Sequence, residues 1–93
     1  VRAVGLRAVL RPFTADETEA VLAATLFTGR PGRMDRDTRT AVARTIHEIA
    51  AGIPATVTRL AEFAALIADA RTDGALDPAD VETIHRRLSL EAA

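Results

Sequence analysis

The sequence predicts an all-α protein in which four helices form a bundle behind an extended N-terminal segment. Apolar residues recur at three- and four-residue spacing in four separate stretches, which is typical of amphipathic helices. Alanine supplies much of the apolar fraction of 48% and favours helix. Gly, Pro, Asp and Thr residues, which start or end helices, separate the four stretches.

The amino-acid composition excludes several classes of function. The 93 residues suit one domain, and a net charge of −1 gives no general attraction to nucleic acid or anionic membranes. All twelve basic residues are arginine, so a P-loop and Schiff-base chemistry, which both require lysine, are excluded. We therefore expect no enzyme in this chain alone.

Cysteine is absent, so the cytoplasm is the expected location. No apolar run approaches the roughly 20 residues of a membrane span, and no membrane contact is expected.

Residues 1–12 are predicted to be extended. Val4, Leu6 and Leu10 recur at a period of two, which favours a β-strand. A single strand needs a partner, so strand form is expected only beside a sheet elsewhere. Residues 13–93 are the predicted helical domain.

The first predicted helix begins at a capping box, in which Thr14 and Glu17 bond to each other's backbone amides. We expect it to stop before Gly29. Its predicted buried stripe consists of Thr18, Val21, Leu22, Thr25 and Leu26.

The second predicted helix begins at Asp35 or Asp37, because either aspartate suits an N-cap. Gly52 suits the left-handed residue that follows its last turn. Its predicted buried stripe consists of Ala41, Val42, Thr45, Ile46 and Ile49.

The third and fourth predicted helices both begin with proline, which suits the first helical position. Pro54 starts the third helix, which ends by Arg71. Asp77 caps the fourth helix, Pro78 follows it, and Asp80 lies near the positive helix end. The predicted inward residues are Val57, Leu60, Phe63, Ala64 and Ile67 in the third helix and Val81, Ile84 and Leu88 in the fourth.

No metal site is predicted. His47 and His85 have no second histidine or carboxylate at metal-ligand spacing, and we interpret both as surface or boundary residues. The loop 69–80 resembles a calcium loop of the EF-hand type, but Arg71 stands at its third position and Asp80 replaces the final glutamate. We interpret this loop as a corner between helices. A small metal-binding helical domain built on it, similar to tellurite-resistance proteins, is the weakest alternative.

Four arginines cluster around the second helix start and predict contacts with phosphate groups. Asp35 and Asp37 lie among them and reduce the local charge, and no aromatic residue is interleaved for base stacking. This cluster supports an alternative function, a free-standing helical protein-interaction or DNA-binding module. Its residues are Arg30, Arg33, Arg36 and Arg39.

The order of the elements resembles one family over nearly the whole chain. Residues 10–18, Leu-Arg-Pro-Phe-Thr-Ala-Asp-Glu-Thr, resemble the strand-to-lid junction of AAA+ ATPases of the ExeA general-secretion type and the related transposition (TniB-like) ATPases. Residues 46–54, Ile-His-Glu-Ile-Ala-Ala-Gly-Ile-Pro, are similar to that family's Ile-His-x-x-Ser-x-Gly-Ile-Pro-Arg motif. Residues 74–81 are similar to its closing Gly-x-Ile-x-x-x-x-Val pattern.

The resemblance implies a four-helix lid that packs on a nucleotide-binding core, relays the nucleotide state and is not catalytic alone. Gly52, Ile53 and Pro54 would form the corner that faces the nucleotide. The family's next residue is an arginine that reaches the phosphates, but here it is Ala55, and Arg59 one helical turn later is expected to substitute. ATP is then expected only as part of a larger ATPase. The core is the expected partner, and apolar surface without that core would favour a homo-oligomer.

Overall fold

A computed structural model describes residues 11–28 and 34–92, with side chains described up to residue 90. This part of the chain contains four helices, and the predicted all-α class is confirmed. Within it, no helix is long and apolar enough to cross a membrane. Of the segment 1–12 that was predicted to be a strand or extended, residues 1–10 lie outside the described residues. The helices are α1 (Ala15–Ala24), α2 (Arg36–Ala50), α3 (Pro54–Ala70) and α4 (Pro78–Ala92).

The starts of α1 and α2 follow from local side-chain chemistry. Thr14 Oγ1 accepts a hydrogen bond of 3.2 Å from the amide of Glu17, and the Glu17 carboxylate accepts one of 2.8 Å from the amide of Thr14. The predicted capping box is therefore confirmed. Of the two aspartates that suit the N-cap of α2, the structure selects Asp35, whose Oδ1 accepts a bond of 2.7 Å from the Thr38 amide. Hydrogen bonds from Thr38 lower the pKa of the Asp35 carboxyl.

The starts of α3 and α4 also match their predictions. Pro54 is at the first position of α3 and needs no side-chain cap. At α4, Asp77 Oδ1 accepts a bond of 3.1 Å from the Asp80 amide, and Asp80 Oδ2 accepts one of 2.9 Å from the Asp77 amide. This reciprocal pair is a capping box with aspartate in place of glutamate.

Helix α1 is shorter than predicted. It ends at Ala24 rather than just before Gly29, and Thr25 is exposed rather than buried. Threonine hydroxyls satisfy carbonyls of its last turns: Thr25 Oγ1 donates to the Val21 carbonyl (2.7 Å) and Thr28 Oγ1 to the Ala23 carbonyl (2.7 Å). At the Ala23 carbonyl the Thr28 hydroxyl replaces a helical amide as the donor, whereas at the Val21 carbonyl the Thr25 hydroxyl adds to the helical bond of 3.0 Å from the Thr25 amide. The backbone therefore turns away after Ala24 without leaving either carbonyl unpaired.

Helix α2 is the centre of the bundle, since it packs against each of the other three helices. Packing also joins α3 to α4. Several side chains of the core are fully removed from solvent, which at about 1.5–3 kcal/mol each makes their burial the main stabilising term. The largest of them are Leu22, Leu26, Val42, Ile46, Val57, Leu60 and Val81.

The orientation of α3 corrects one prediction. Phe63 was expected to be buried, but its exposed fraction is 38%, and Ile67 is half-buried. The buried stripe of α3 includes Ala64, as predicted, and two alanines that were not predicted, Ala61 and Ala68. Small side chains allow the backbone of α3 to approach its neighbours closely, which leaves the bulky Phe63 at the edge of the contact.

Candidate nucleotide-facing corner

The corner between α2 and α3 is built from two consecutive left-handed residues. Ala51 has a φ of 53° and Gly52 a φ of 73°. The Gly52 amide donates to the His47 carbonyl (3.2 Å), and the Ile53 amide donates to the Ala50 carbonyl (3.0 Å). The predicted left-handed conformation of Gly52 is confirmed. The same conformation at Ala51 was not anticipated, because alanine rarely adopts it.

The chain that leads into α1 is held against this corner. The amide of Phe13 donates a hydrogen bond of 2.6 Å to the carbonyl of Gly52. A Cβ atom on Gly52 would lie 2.5 Å from the Phe13 carbonyl oxygen, closer than real Cβ atoms come to other heavy atoms. Glycine is therefore required at position 52 for two reasons: the positive φ and the close approach of the Phe13 backbone.

A polar contact beneath the corner joins α1 to α2. Thr18 is fully buried, and its Oγ1 lies 2.8 Å from Nδ1 of the half-buried His47. A buried hydroxyl without a partner would be strongly unfavourable, so His47 makes the burial of Thr18 tolerable. This pair was partly predictable from the sequence, because Thr18 belongs to a predicted buried stripe and a buried threonine needs a hydrogen-bond partner. His85, in contrast, is exposed on α4.

An ion pair fixes the same chain entry from the solvent side. Arg11 Nη2 lies 2.8 Å from Glu17 Oε2, and Arg11 Nη1 lies 3.3 Å from Glu17 Oε1. The hydrogen bond from Arg11 and then that from the Thr14 amide lower the pKa of the Glu17 carboxyl from 4.5 to about 2. The same pair raises the pKa of Arg11. Glu17 thus serves both the helix start and the segment that precedes it.

The predicted nucleotide-facing residues lie on the solvent side of the corner, apart from Gly52, which is buried. Ile53 has an exposed fraction of 49%, and Pro54 is half-buried. Ala55 and Arg59 are both exposed, and their four-residue spacing puts them on the same face of α3. Cα–Cβ bonds on a helix are tilted towards its N-terminus, so the side chain of Arg59 starts in the direction of the corner.

A groove between α1 and α2 contains part of the predicted arginine cluster. Arg30 and Arg33 lie outside the described residues. Two adjoining depressions of about 420 Å³ and 130 Å³ run along the groove and share Glu19 and Thr40 as lining residues. The basic residues that line them are Arg36, Arg39, Arg44 and His47. Arg44 was not predicted here.

The loop 69–80 is closed by an ion pair. Arg71 forms two bonds of 2.7 Å with the Asp80 carboxylate, and its Nη1 also donates to the Ala75 carbonyl (3.2 Å). Bonding to Arg71 lowers the pKa of Asp80, and the same bonds raise the pKa of Arg71. The carboxylate that would complete a calcium loop therefore already holds a guanidinium. Among the described residues, no three His, Asp or Glu side chains are grouped so as to hold a metal ion.

Two substitutions at adjacent left-handed positions test the close packing of the corner. Gly52→Ala should lower the free energy of unfolding by about 2 kcal/mol or more, because it combines a left-handed alanine with a collision against Phe13. Ala51→Gly is the matched control and should raise the free energy of unfolding by about 0.5–1 kcal/mol, since it removes the unfavourable left-handed conformation of an alanine. Urea denaturation followed by circular dichroism at 222 nm measures both. Equal small effects for the two variants would contradict the structure.

The pKa of Glu17 makes the stability of the α1 start depend on pH. Because the folded pKa of about 2 is below the ordinary value of 4.5, the contribution is complete above pH 4.5 and is lost as the pH falls from 4.5 to 2. The urea midpoint of Glu17→Gln should therefore lie below that of the unsubstituted chain by a constant amount from pH 7 to 5. The gap should close between pH 4.5 and 2. In the Arg11→Ala background, the difference in urea midpoint between the chain with Glu17 and its Glu17→Gln variant should be smaller at neutral pH. A difference in midpoint that does not change with pH would refute the ion pair.

No protein-family profile, curated protein or solved structure matches the chain. The resemblance of residues 46–54 to the AAA+ lid motif therefore stays a prediction from the sequence.

Proposed function

We propose that this chain is the helical lid module of an AAA+ ATPase. In this proposal, residues 13–93 pack on a nucleotide-binding core that is joined through residues 1–12. The lid closes over the nucleotide and relays its state, and it performs no chemistry alone. ATP is bound only in the assembled ATPase.

The observation that best supports the proposal is the bond of 2.6 Å between the Phe13 amide and the Gly52 carbonyl. It holds the chain entry directly against the α2–α3 corner. The start of the described part of the chain therefore lies near this corner, where Ile53 is half exposed. A core attached at the N-terminal end of the described chain would therefore lie close to Gly52, Ile53 and Pro54, the residues that face the nucleotide according to the family resemblance.

Arg59 is the residue proposed to contact the phosphates. Ala55, at the family's arginine position, has no side chain long enough to reach a ligand. Arg59 lies one turn further along the same exposed face, about 6 Å along the helix axis. None of the other described residues bonds to its guanidinium, so it is available for a phosphate. Arginine suits this role because its planar donors match phosphate oxygens.

The test uses the longest polypeptide that the gene encodes around these residues. Its affinity for a fluorescent ATP analogue is compared with that of Arg59→Ala. Because a hydrogen bond to a charged group contributes about 1.5–3 kcal/mol, Arg59→Ala should weaken binding about tenfold or more. Arg86→Ala, which removes an exposed arginine from α4, is the matched control and should change the affinity less than twofold.

Two results would contradict the lid function. The first is a full-length polypeptide that fails to bind ATP. The second is equal ATP affinity for Arg59→Ala and the unsubstituted protein. That result would show that the corner is not part of the nucleotide site, even if a core is present.

A second candidate function, nucleic-acid binding, is supported by the groove between α1 and α2. Three arginines line it, and Glu19 is the single acidic residue that does so among the described residues. Asp35, which precedes these arginines in the sequence, is occupied by capping the Thr38 amide. Alanines of both helices also line the groove, and their small side chains leave room for a sugar-phosphate backbone. The groove contains Arg36 and Arg39 of the predicted cluster and adds Arg44.

Salt-dependent DNA binding tests the second candidate. The variant Arg36→Ala/Arg44→Ala should lower the affinity for a fluorescent single-stranded 20-mer about tenfold in low salt. It should also reduce the slope of log affinity against log salt by about 1.4, since each lost phosphate contact contributes about 0.7. Arg59→Ala/Arg86→Ala removes the same charge from α3 and α4 and should leave both quantities nearly unchanged. Equal losses in both double variants would indicate non-specific attraction rather than a site.

A further inference from the structure

The groove between α1 and α2 contains an aromatic residue beside its arginines. No aromatic residue lies between these arginines in the sequence, but packing of the turn after α1 brings Phe27 to the same depression as Arg36 and Arg39. This depression has a volume of about 420 Å³, which is within the range of about 300–1,000 Å³ that is typical of small-molecule sites. The fold therefore supplies the one group for base stacking that the sequence pattern lacked.

The position of Phe27 is fixed by its surroundings. Its amide donates a hydrogen bond of 2.9 Å to the Leu22 carbonyl, and the neighbouring Leu26 is fully buried in the core. Phe27 itself is half-buried, so part of it remains accessible where it lines the groove. An aromatic residue that is already held in place loses little conformational freedom when a ligand packs on it.

Positively charged side chains continue along the groove from the depression that Phe27 lines. Arg44 adds a further guanidinium in the adjoining smaller depression. Glu19 lines both depressions, whereas the exposed Asp37 and Glu48 of α2 line neither of them. Arg36 and Arg44 are eight residues apart, which corresponds to about 12 Å along the helix axis. This length suits an extended chain of phosphates better than a single anion.

We propose that the groove binds single-stranded nucleic acid, with one base stacked on Phe27 and the adjoining phosphates on the arginines. This inference rests on the second candidate function and specifies its ligand and its stacking residue. Bases in a duplex are stacked on each other and paired, so their faces are not available to a side chain. A single strand presents those faces, and every base has one, so stacking tolerates any sequence.

A fluorescent reporter at the stacking position tests the contact directly. The chain contains no tryptophan or tyrosine, so Phe27→Trp introduces a single indole. A thymidine 20-mer should quench its emission, because a base stacked on the indole quenches the excited state. The matching duplex and inorganic polyphosphate should not, since neither offers an unstacked base. Phe63→Trp, which places the indole on α3 outside the groove, is the matched control and should keep its emission with all three ligands.

Affinity measurements by fluorescence anisotropy test the same contact without a reporter. Phe27→Leu keeps an apolar side chain against the core and should weaken binding of the single-stranded 20-mer about fivefold or more. It should change the affinity for the duplex less than twofold, since the duplex contacts only the arginines. Phe63→Leu is the control and should leave both affinities unchanged. Circular dichroism at 222 nm confirms that each variant is folded.

The outcomes separate this inference from the function on which it rests. Equal 20-mer affinity for Phe27→Leu and the unsubstituted chain, or unchanged emission of Phe27→Trp at saturation, would overturn base stacking while the phosphate contacts remain. Quenching by polyphosphate as strong as that by the 20-mer would also overturn it. A chain that binds no nucleic acid at all would overturn both the stacking and the second candidate function.

Discussion

The close contact between the backbones of Phe13 and Gly52 is the constraint on which the arrangement of the bundle depends. It joins the entry of the chain to the corner between α2 and α3, and it leaves no room for a side chain on Gly52. Two further contacts act around it: the buried Thr18–His47 hydrogen bond lies on the inner side, and the Arg11–Glu17 ion pair lies on the outer side. The direction in which α1 leaves the corner is thereby fixed relative to α2. Because α2 packs on every other helix, the corner also positions the rest of the bundle.

The helix starts were predictable from sequence because the chemistry that fixes them is local. Thr14, Asp35 and Asp77 each bond to an amide three residues later, and this pattern is readable without knowledge of the fold. The end of α1 was not predictable in the same way, because the Ala23 carbonyl accepts a hydrogen bond from the Thr28 hydroxyl where a longer helix would supply a backbone amide. Such bonds replace a helical turn with a bend at little energetic loss, so apolar periodicity overestimates the helix length.

The candidate corner was predictable only in part. Gly52 could be assigned from its place after the last turn of α2, since a left-handed residue there favours glycine. Its contact with Phe13 and the pairing of Thr18 with His47 bring together residues 39 and 29 positions apart, and only tertiary packing determines them. The misassigned Phe63 has the same origin. Periodicity places Phe63 beside the buried stripe of α3, but the alanine side of the helix allows a closer approach and takes the centre of the contact.

Helix α3 continues well beyond the corner at which it begins. Pro54 and Leu66 are twelve residues apart in α3, which corresponds to about 18 Å along the helix axis. A core that covers Ile53 and reaches Arg59 would therefore contact only the first turns of α3 and leave Leu66, with an exposed fraction of 64%, in water.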